Sequence, residues 1–265
     1  MLHVHGHRPD RDLGQNFLAD PNIVRRIVAT ADVEGRRVVE IGAGTGALTS
    51  VLATVADQVV AYEVDERLLP ILEGSLGGAA NVEVRHADAS RIELCDDLGP
   101  GPWTMVANLP YHVGTGIVLD ALRHSPCIER FVVMVQAEVA ERLLAGPGSR
   151  TYGLPSIVVG LHAKGRRAFG VPRQVFEPAP RVDSAIVVLD RVPAPARSER
   201  AIEIAAAGFG KRRKMLRGSL TGTVEDPSGV LTRAGIAPTS RAEQLSPMDY
   251  VALARIEAGG EGMAR

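Results

Sequence analysis

Asn108-Leu109-Pro110-Tyr111 sets a side-chain amide, backbone carbonyls and an aromatic ring at the end of an apolar run, Trp103 to Ala107. Such a set can grip the exocyclic amino group of a flat base. The Asn108 amide oxygen and a neighbouring carbonyl accept its two N–H protons while Tyr111 stacks on the ring. An amino nitrogen conjugated to a purine is a poor nucleophile. Holding its hydrogens out of plane localises the lone pair for attack on a methyl donor. A plain turn closing on a buried tyrosine is the competing reading of the same four residues.

Upstream, Glu40-Ile41-Gly42-Ala43-Gly44-Thr45-Gly46 stands between a predicted strand and a predicted helix. Glycines let backbone approach a ligand closely, and a helix N-terminus offers free N–H groups. Gly42, Gly44 and Ala47, with acidic Glu63 about twenty residues on, also satisfy a loose dinucleotide fingerprint. A nicotinamide dehydrogenase and an S-adenosylmethionine (SAM) methyltransferase therefore both fit this half, and Glu63 would bond ribose hydroxyls in either. Glu40 and Glu63 make the pocket acidic, which favours a sulfonium and disfavours a diphosphate. Asp88 can accept from an adenine amino group. The alternative for Glu40 and Asp88 is a turn or loop cap.

These residues need a scaffold that brings strand ends together. Strands are predicted at 37–41, 58–64, 81–85, 103–107 and 131–135. Helices alternate with them at 23–30, 47–56, 67–76, 113–122 and 137–144, and late strands follow at 156–162 and 184–189. That alternation implies an α/β fold: a Rossmann-like, doubly wound parallel sheet with helices on both faces. Ligands of such sheets bind beyond the carboxyl ends of the strands, where Gly42, Glu63, Asp88 and Asn108 fall. Val192-Pro193-Ala194-Pro195 is a stiff break. It divides a catalytic domain, 1–192 with a flexible polar arm at 1–12, from a small C-terminal α-helical domain at 196–265. The helices of the second are predicted at 199–209, 211–220, 229–234 and 247–256.

The 265 residues carry 45% hydrophobic and 23% charged residues and a net charge of −1, the profile of an ordinary globular chain. A polyanion site must therefore be a local basic patch. Lys211-Arg212-Arg213-Lys214 with Arg217 is the densest basic run, and helical spacing would put Lys211, Lys214 and Arg217 on one side. A solvated charged face is the other reading of that run. Arg166-Arg167 could extend the patch. Cys95 and Cys127 lack metal-ligand spacing and are expected as unpaired thiols in a reducing, cytoplasmic setting. No membrane span or secretion signal is expected. His3, His5 and His7 read as part of a solvated arm, and no metal site is expected.

The motifs together resemble a known family, the bacterial small-subunit (16S) rRNA adenine N6,N6-dimethyltransferases of the kasugamycin-resistance type. These are related to the erythromycin-resistance methylases of large-subunit rRNA. The likeness runs through Gly14-Gln15-Asn16-Phe17-Leu18, Glu40 to Thr49, Glu63-Val64-Asp65, Asp88 and Asn108 to Tyr111. It continues through Val135 to Arg142, Tyr152-Gly153, Phe176 to Ala185, Phe209 to Leu216 and Arg241 to Ser246. It implies SAM as cofactor, held by Gln15, Asn16, Leu18, Gly42, Gly44, Glu63, Asp88 and Asn108. It also implies a target adenine held at Asn108, Leu109, Pro110 and Tyr111, with Phe176 as a second stacking wall; a core role for Phe176 competes. RNA contacts are assigned to Lys211, Arg212, Arg213, Lys214 and Arg217. The implied substrate is a pair of adjacent adenosines in the 3′-terminal hairpin loop of 16S rRNA within an immature 30S particle, and the enzyme is expected as a monomer.

The chain departs from the family pattern at His112, usually Asn, and at Leu-Pro-Ser after Tyr152-Gly153. Leu109 favours the small-subunit branch over the resistance branch. A DNA adenine methylase and an assembly factor that binds immature subunits without transferring methyl groups are the remaining alternatives.

Overall fold

The protein was analysed as a computed structural model that describes residues 14–259. The predicted arm at 1–12, with His3, His5 and His7, lies outside them. The described chain forms two compact units. One comprises residues up to Ala140 with Gly165–Arg191, and the other Glu141–Lys164 with the chain from Val192 onward.

The first unit contains β1 (Phe17–Leu18), α1 (Pro21–Ala31), β2 (Arg37–Ile41), α2 (Thr49–Leu52), β3 (Gln58–Glu63), α3 (Leu69–Leu76), β4 (Val82–His86), α4 (Leu94–Leu98), β5 (Trp103–Asn108), α5 (Gly114–His124) and β6 (Ile128–Gln136). Next along the chain come α6 (Ala137–Leu143), which runs on into the second unit, α7 (Leu154–His162) of the second unit, and then β7 (Ala163–Val171), β8 (Phe176–Glu177) and β9 (Ser184–Arg191), which return the chain to the first. Seven strands make one sheet in the order β4-β3-β2-β5-β6-β9-β7, while β1 pairs with β8 in a separate two-stranded ribbon. The pairs β4/β3, β3/β2, β2/β5 and β5/β6 are parallel, and β9 runs antiparallel to β6. Strand order reverses between β2 and β5, so their carboxyl ends flank the crevice where such sheets take ligands.

Sequence chemistry accounts for these elements. The β2, β3 and β5 runs are almost wholly buried, as expected for strands covered on both faces. Asp20 caps α1 by accepting from the Asn22 N–H, with Pro21 in the first turn. Val24, Ile27 and Val28 of α1 enter a core cluster with Val106, Met134, Ile186 and Phe169.

Three expectations fail. Ser156–His162, read as a strand from its β-branched run, lies in helix α7, and the strand that joins the sheet is β7, directly after it. Pro155 favours a first helical turn, and α7 packs against α8 (Ser198–Gly210) and α11 (Pro247–Glu257). Burial of Ile157, Val158, Val159 and Leu161 there outweighs strand propensity. Cys95 and Cys127 are also not free thiols: they form a disulfide, with Cα atoms 5.7 Å apart. The two positions are 32 residues apart, but the parallel β5/β6 pairing returns Cys127 to the sheet end that α4 also reaches.

The second unit is helical, completed by α9 (Leu216–Ser219) and α10 (Pro227–Arg233). The Tyr152 and Tyr250 hydroxyls donate to the carbonyls of Leu245 and Ala242, tying its buried centre together. Lys211 to Lys214 were expected within a helix. They form a turn between α8 and α9, closed by Lys214 N–H on the Lys211 carbonyl at 2.8 Å. Gly208 and Gly210 weaken the end of α8, and a helical run of four cations would concentrate like charge.

Candidate active site

A cleft with about 90 Å³ of free space, open to solvent, lies at the carboxyl ends of β2, β3 and β5. Its lining includes Gln15, Asn16, Leu18, Gly42, Gly44, Glu63, Asn108, Leu109, Pro110 and Tyr111. The structure thus gathers on one surface residues that are up to 96 positions apart.

The floor is set by Glu63. Its Oε2 accepts from the Gly44 N–H at 2.7 Å and its Oε1 from the Asp65 N–H at 2.8 Å. Gly44 has φ +60°, and a Cβ there would stand 3.2 Å from the Phe17 ring, so only glycine lets this loop lie against that ring without strain. Burial raises the Glu63 pKa, against the pull of those backbone N–H groups. Glu40 lies deeper, 1% exposed, and its Oε2 has no hydrogen-bond partner among the described residues. Burial pushes its pKa up to about 8, and the charge of Glu63 contributes.

Two buried carboxyls, one with an unpaired acceptor oxygen, favour a cationic ligand nearby and oppose a diphosphate. SAM, bearing a sulfonium and an ammonium, fits this donor set. A pH prediction follows. The Glu40 pKa is raised above the ordinary carboxyl value of 4.5, so the neutral form is favoured in the ligand-free fold. That contribution to stability is lost as pH rises from about 4.5 to 8. A cation favours the ionised form, so SAM affinity should rise up to about tenfold per pH unit below pH 8 and level off above it. Calorimetric titration at a series of pH values checks this, and Glu40→Gln should flatten the profile.

The strip before β1 is held from both sides. Gln15 Nε2 donates to Asp65 Oδ2 at 2.7 Å, and Asp65 also binds the Arg67 guanidinium through both oxygens. That pairing pulls the Asp65 pKa down to about 2. Across the cleft, Asn108 Nδ2 donates to the Asn16 carbonyl at 3.1 Å. The bond fixes which way the Asn108 amide points and leaves Oδ1 without a partner among the described residues. The Tyr111 hydroxyl shares a hydrogen bond of 2.7 Å with Ser184 Oγ at the start of β9. The ring of Tyr111 is half-buried, walling both the main cleft and a small recess beside Gln136 and Val139. The Pro110 carbonyl accepts from the Gly114 N–H at 2.8 Å, which commits it to the start of α5.

Two predicted residues lie elsewhere. Phe176 does not wall the cleft: it is 4% exposed in the core cluster, its backbone paired opposite Leu18. The β1/β8 ribbon turns its ring inward. Phe176→Ala should therefore cost about 3–5 kcal/mol of stability, seen in denaturant melts, and Phe176→Leu should recover most of it. Asp88 is not among the lining residues either. Its Oδ1 accepts from the Ser90 N–H and hydroxyl, and its Oδ2 lies 3.2 Å from Arg91 Nε. Phe17, Val64 and Leu68 line the cleft and were not singled out from the sequence as contacts. The run Gln15 to Leu18 was the available signal for Phe17.

In the second unit, Lys211, Arg212, Arg213, Lys214 and Arg217 are all exposed. Arg212 is committed: its Nε pairs with Glu243 at 2.7 Å and its guanidinium also donates to the Arg150 carbonyl. The other four have no carboxylate partner among the described residues. Among those residues no helix is long and apolar enough to cross a membrane, and no cluster suits a metal ion.

The ribosomal RNA adenine dimethylase family model matches residues 6–258. The chain is 43% identical over 264 residues to the ribosomal RNA small subunit methyltransferase A of Kineococcus radiotolerans, covering 96% of this chain and 87% of that one. Among solved structures it resembles a dimethyladenosine transferase from Plasmodium falciparum, with TM-score 0.78, 25% identity, and 92% and 97% of the two chains covered. It also resembles the 23S rRNA methyltransferase ErmE, with TM-score 0.68, 30% identity, and 90% and 98% covered. The acidic cleft, the oriented Asn108 amide and this match along nearly the whole sequence lead to one assignment: the chain belongs to the ribosomal RNA adenine dimethylase family.

Proposed function

We propose that this enzyme transfers methyl groups from SAM to N6 of two adjacent adenosines in the 3′-terminal hairpin loop of small-subunit rRNA, within an immature 30S particle. The observation that carries the reading is the Asn108 amide, whose Nδ2 is spent on the Asn16 carbonyl and whose Oδ1 is left as an acceptor, on a residue that lines the cleft together with Tyr111 and Glu63. SAM supplies an electrophilic methyl group. Gln15, Asn16, Leu18, Gly42, Gly44 and Glu63 hold it.

Asn108 Oδ1 and the Leu109 carbonyl accept the two N6 protons of the target base. The Pro110 carbonyl is already occupied by α5, which leaves Leu109 as the neighbouring backbone acceptor. Tyr111 stacks on the splayed purine. The acceptors localise the nitrogen lone pair and position it for in-line attack, so rate comes from orientation and preorganised dipoles. The N6 proton becomes acidic as the new bond forms and can pass to solvent.

Lys211, Arg213, Lys214 and Arg217 supply phosphate contacts. Replacing Lys211, Lys214 and Arg217 by Gln should lower the slope of log affinity against log salt by about 2 for a single-stranded loop. Filter binding from low to moderate salt reads it. The function is tested by transfer of labelled methyl from SAM to under-methylated small subunits, with nucleoside analysis. N6,N6-dimethyladenosine in the small subunit is expected. Labelling of large-subunit RNA instead would transfer the assignment to the resistance branch, and binding without transfer would leave an assembly factor.

A further inference from the structure

Cys95 lies in α4, a helix of five residues, and Cys127 in the turn that opens β6. A helix that short is not stable alone. Burial of Leu94 and Leu98 holds it, with the Asp97 carboxylate, which accepts from the Tyr62 hydroxyl and from Arg85 Nη1, and the bond to Cys127. The backbone around Cys127 is closely packed. Its N–H points at Cys95 Sγ at 3.1 Å, and its carbonyl accepts from the Trp103 N–H at 2.8 Å. A Cβ on Gly101 would collide with that carbonyl oxygen, so the exit from α4 fits here only through a glycine.

The disulfide closes a ring around the catalytic tetrapeptide. Residues 95–127 contain all of β5, Asn108 to Tyr111 and all of α5. Cross-linking restricts the opened states of the enclosed chain, so this segment opens less readily while the bond is intact. The chain has only these two cysteines, so no other part of the cleft is held in this way.

The two sulfurs are not equally placed for exchange. Cys127 is buried, whereas Cys95 is partly exposed. Thiol–disulfide exchange needs an accessible sulfur, and Cys95 offers it. Disulfides in reducing compartments are characteristically transient and redox-sensing, and ribosomal RNA is handled in such a compartment. That expectation of compartment rests on the methyl-transfer reading; the pair and the ring do not.

We propose that Cys95 and Cys127 form a redox switch that sets how readily the segment carrying Asn108 to Tyr111 opens. The exchanging partner is a low-molecular-weight thiol and its disulfide. In the oxidising direction the Cys95 thiolate attacks the small disulfide, whose S–S bond breaks, and the departing thiolate takes up the proton that Cys95 gave up. The Cys127 thiolate then attacks the Cys95 sulfur, and the second small thiol leaves with the Cys127 proton. Two electrons pass from the protein pair to the small disulfide. Reduction reverses both steps and opens the ring.

The test equilibrates the full chain with reduced and oxidised glutathione at a series of ratios, then alkylates free thiols and counts them by mass. The count should pass from two to zero in one transition. Hydrogen exchange at short times, where local openings dominate, should be about tenfold faster after reduction in the amides of residues 108–124. Amides of β2, β3 and the second unit should change little. Methyl-transfer activity should survive heating several-fold longer in the oxidised form. A Cys95→Ala/Cys127→Ala double variant should match the reduced protein and ignore the thiol ratio. Thiol counting and exchange need no methyl transfer, so they stay readable if the proposed reaction fails. Two free thiols at every ratio, acceleration spread evenly along the chain, or a double variant that still responds to the ratio overturns the proposal.

Discussion

Asn108→Ala should lower the single-turnover rate of methyl transfer by about 10²–10³-fold, the effect of deleting one preorganised group aimed at developing charge. Asn108 Nδ2 is already spent on the Asn16 carbonyl, so the substitution removes an oxygen whose direction was set before the substrate arrived. Truncation also leaves the Asn16 carbonyl unpaired on the cofactor side of the cleft, so a severalfold loss of SAM affinity should accompany the larger loss of rate. Asn108→Asp is the sharper test. It keeps an acceptor oxygen, yet it cannot donate to Asn16 and would set a carboxylate against a carbonyl. If orientation is what matters, Asp should fall nearly as far as Ala. Rapid-quench measurements with saturating SAM, beside calorimetric SAM binding, separate the two losses. A rate near wild type in the Asp variant would show that the oxygen alone suffices and that the Asn16 contact is idle.

Asn108 was legible in the sequence because chemistry and scaffold coincide there. The run Trp103 to Ala107 is apolar on both faces, so it reads as a central strand, and the position after it must lie at the ligand-binding end of the sheet. The same reasoning placed Gly42 and Glu63. What escaped was decided by partners far along the chain. Phe176 looks like a ring awaiting a base, but a two-residue pairing with β1 turns it into the core. Residues 156–162 have strand propensity and become a helix because their neighbours bury them on several sides. Cys95 and Cys127 carry no spacing signal, and only the parallel crossover joins them. Arg212 belongs by composition to a basic run, yet Glu243, 31 residues on, claims it. None of these partners lies within a local window, so local pattern could not reveal them.

The antiparallel β9 shows how such a distant partner serves the site. A parallel strand beside β6 would begin at the amino end of the sheet, far from the cleft. Because β9 runs the other way, its first residue, Ser184, pairs with Gln136 at the carboxyl end. A hydroxyl 73 residues from Tyr111 is thereby set at 2.7 Å from the phenol. The loop leading there is also tethered, since Asp183 accepts from the Arg173 N–H and its carbonyl accepts from the Ala137 N–H.

Tyr111→Ala should therefore remove both a stacking surface and the end of that tether. Stacking contributes about 1–3 kcal/mol per base, so turnover should fall roughly ten- to a hundredfold with SAM affinity near normal. The hydroxyl has a separable role. Burial raises the Tyr111 pKa, so the phenol stays neutral at physiological pH and can share its proton with Ser184. Tyr111→Phe keeps the ring and loses the tether, and Ser184→Ala loses the tether from the other side while leaving the phenol unpaired. Each should reduce turnover several-fold. The double variant should do no worse than either single one, because both remove the same bond. In thermal melts the double variant should be at least as stable as Ser184→Ala, since it leaves no orphaned hydroxyl. Fluorescence of 2-aminopurine placed at the target base reads stacking directly and should change most in Tyr111→Ala. Additive losses in the double variant would mean that Ser184 acts on something other than the tyrosine. Unchanged base fluorescence in Tyr111→Ala would mean that the target purine does not rest on this ring.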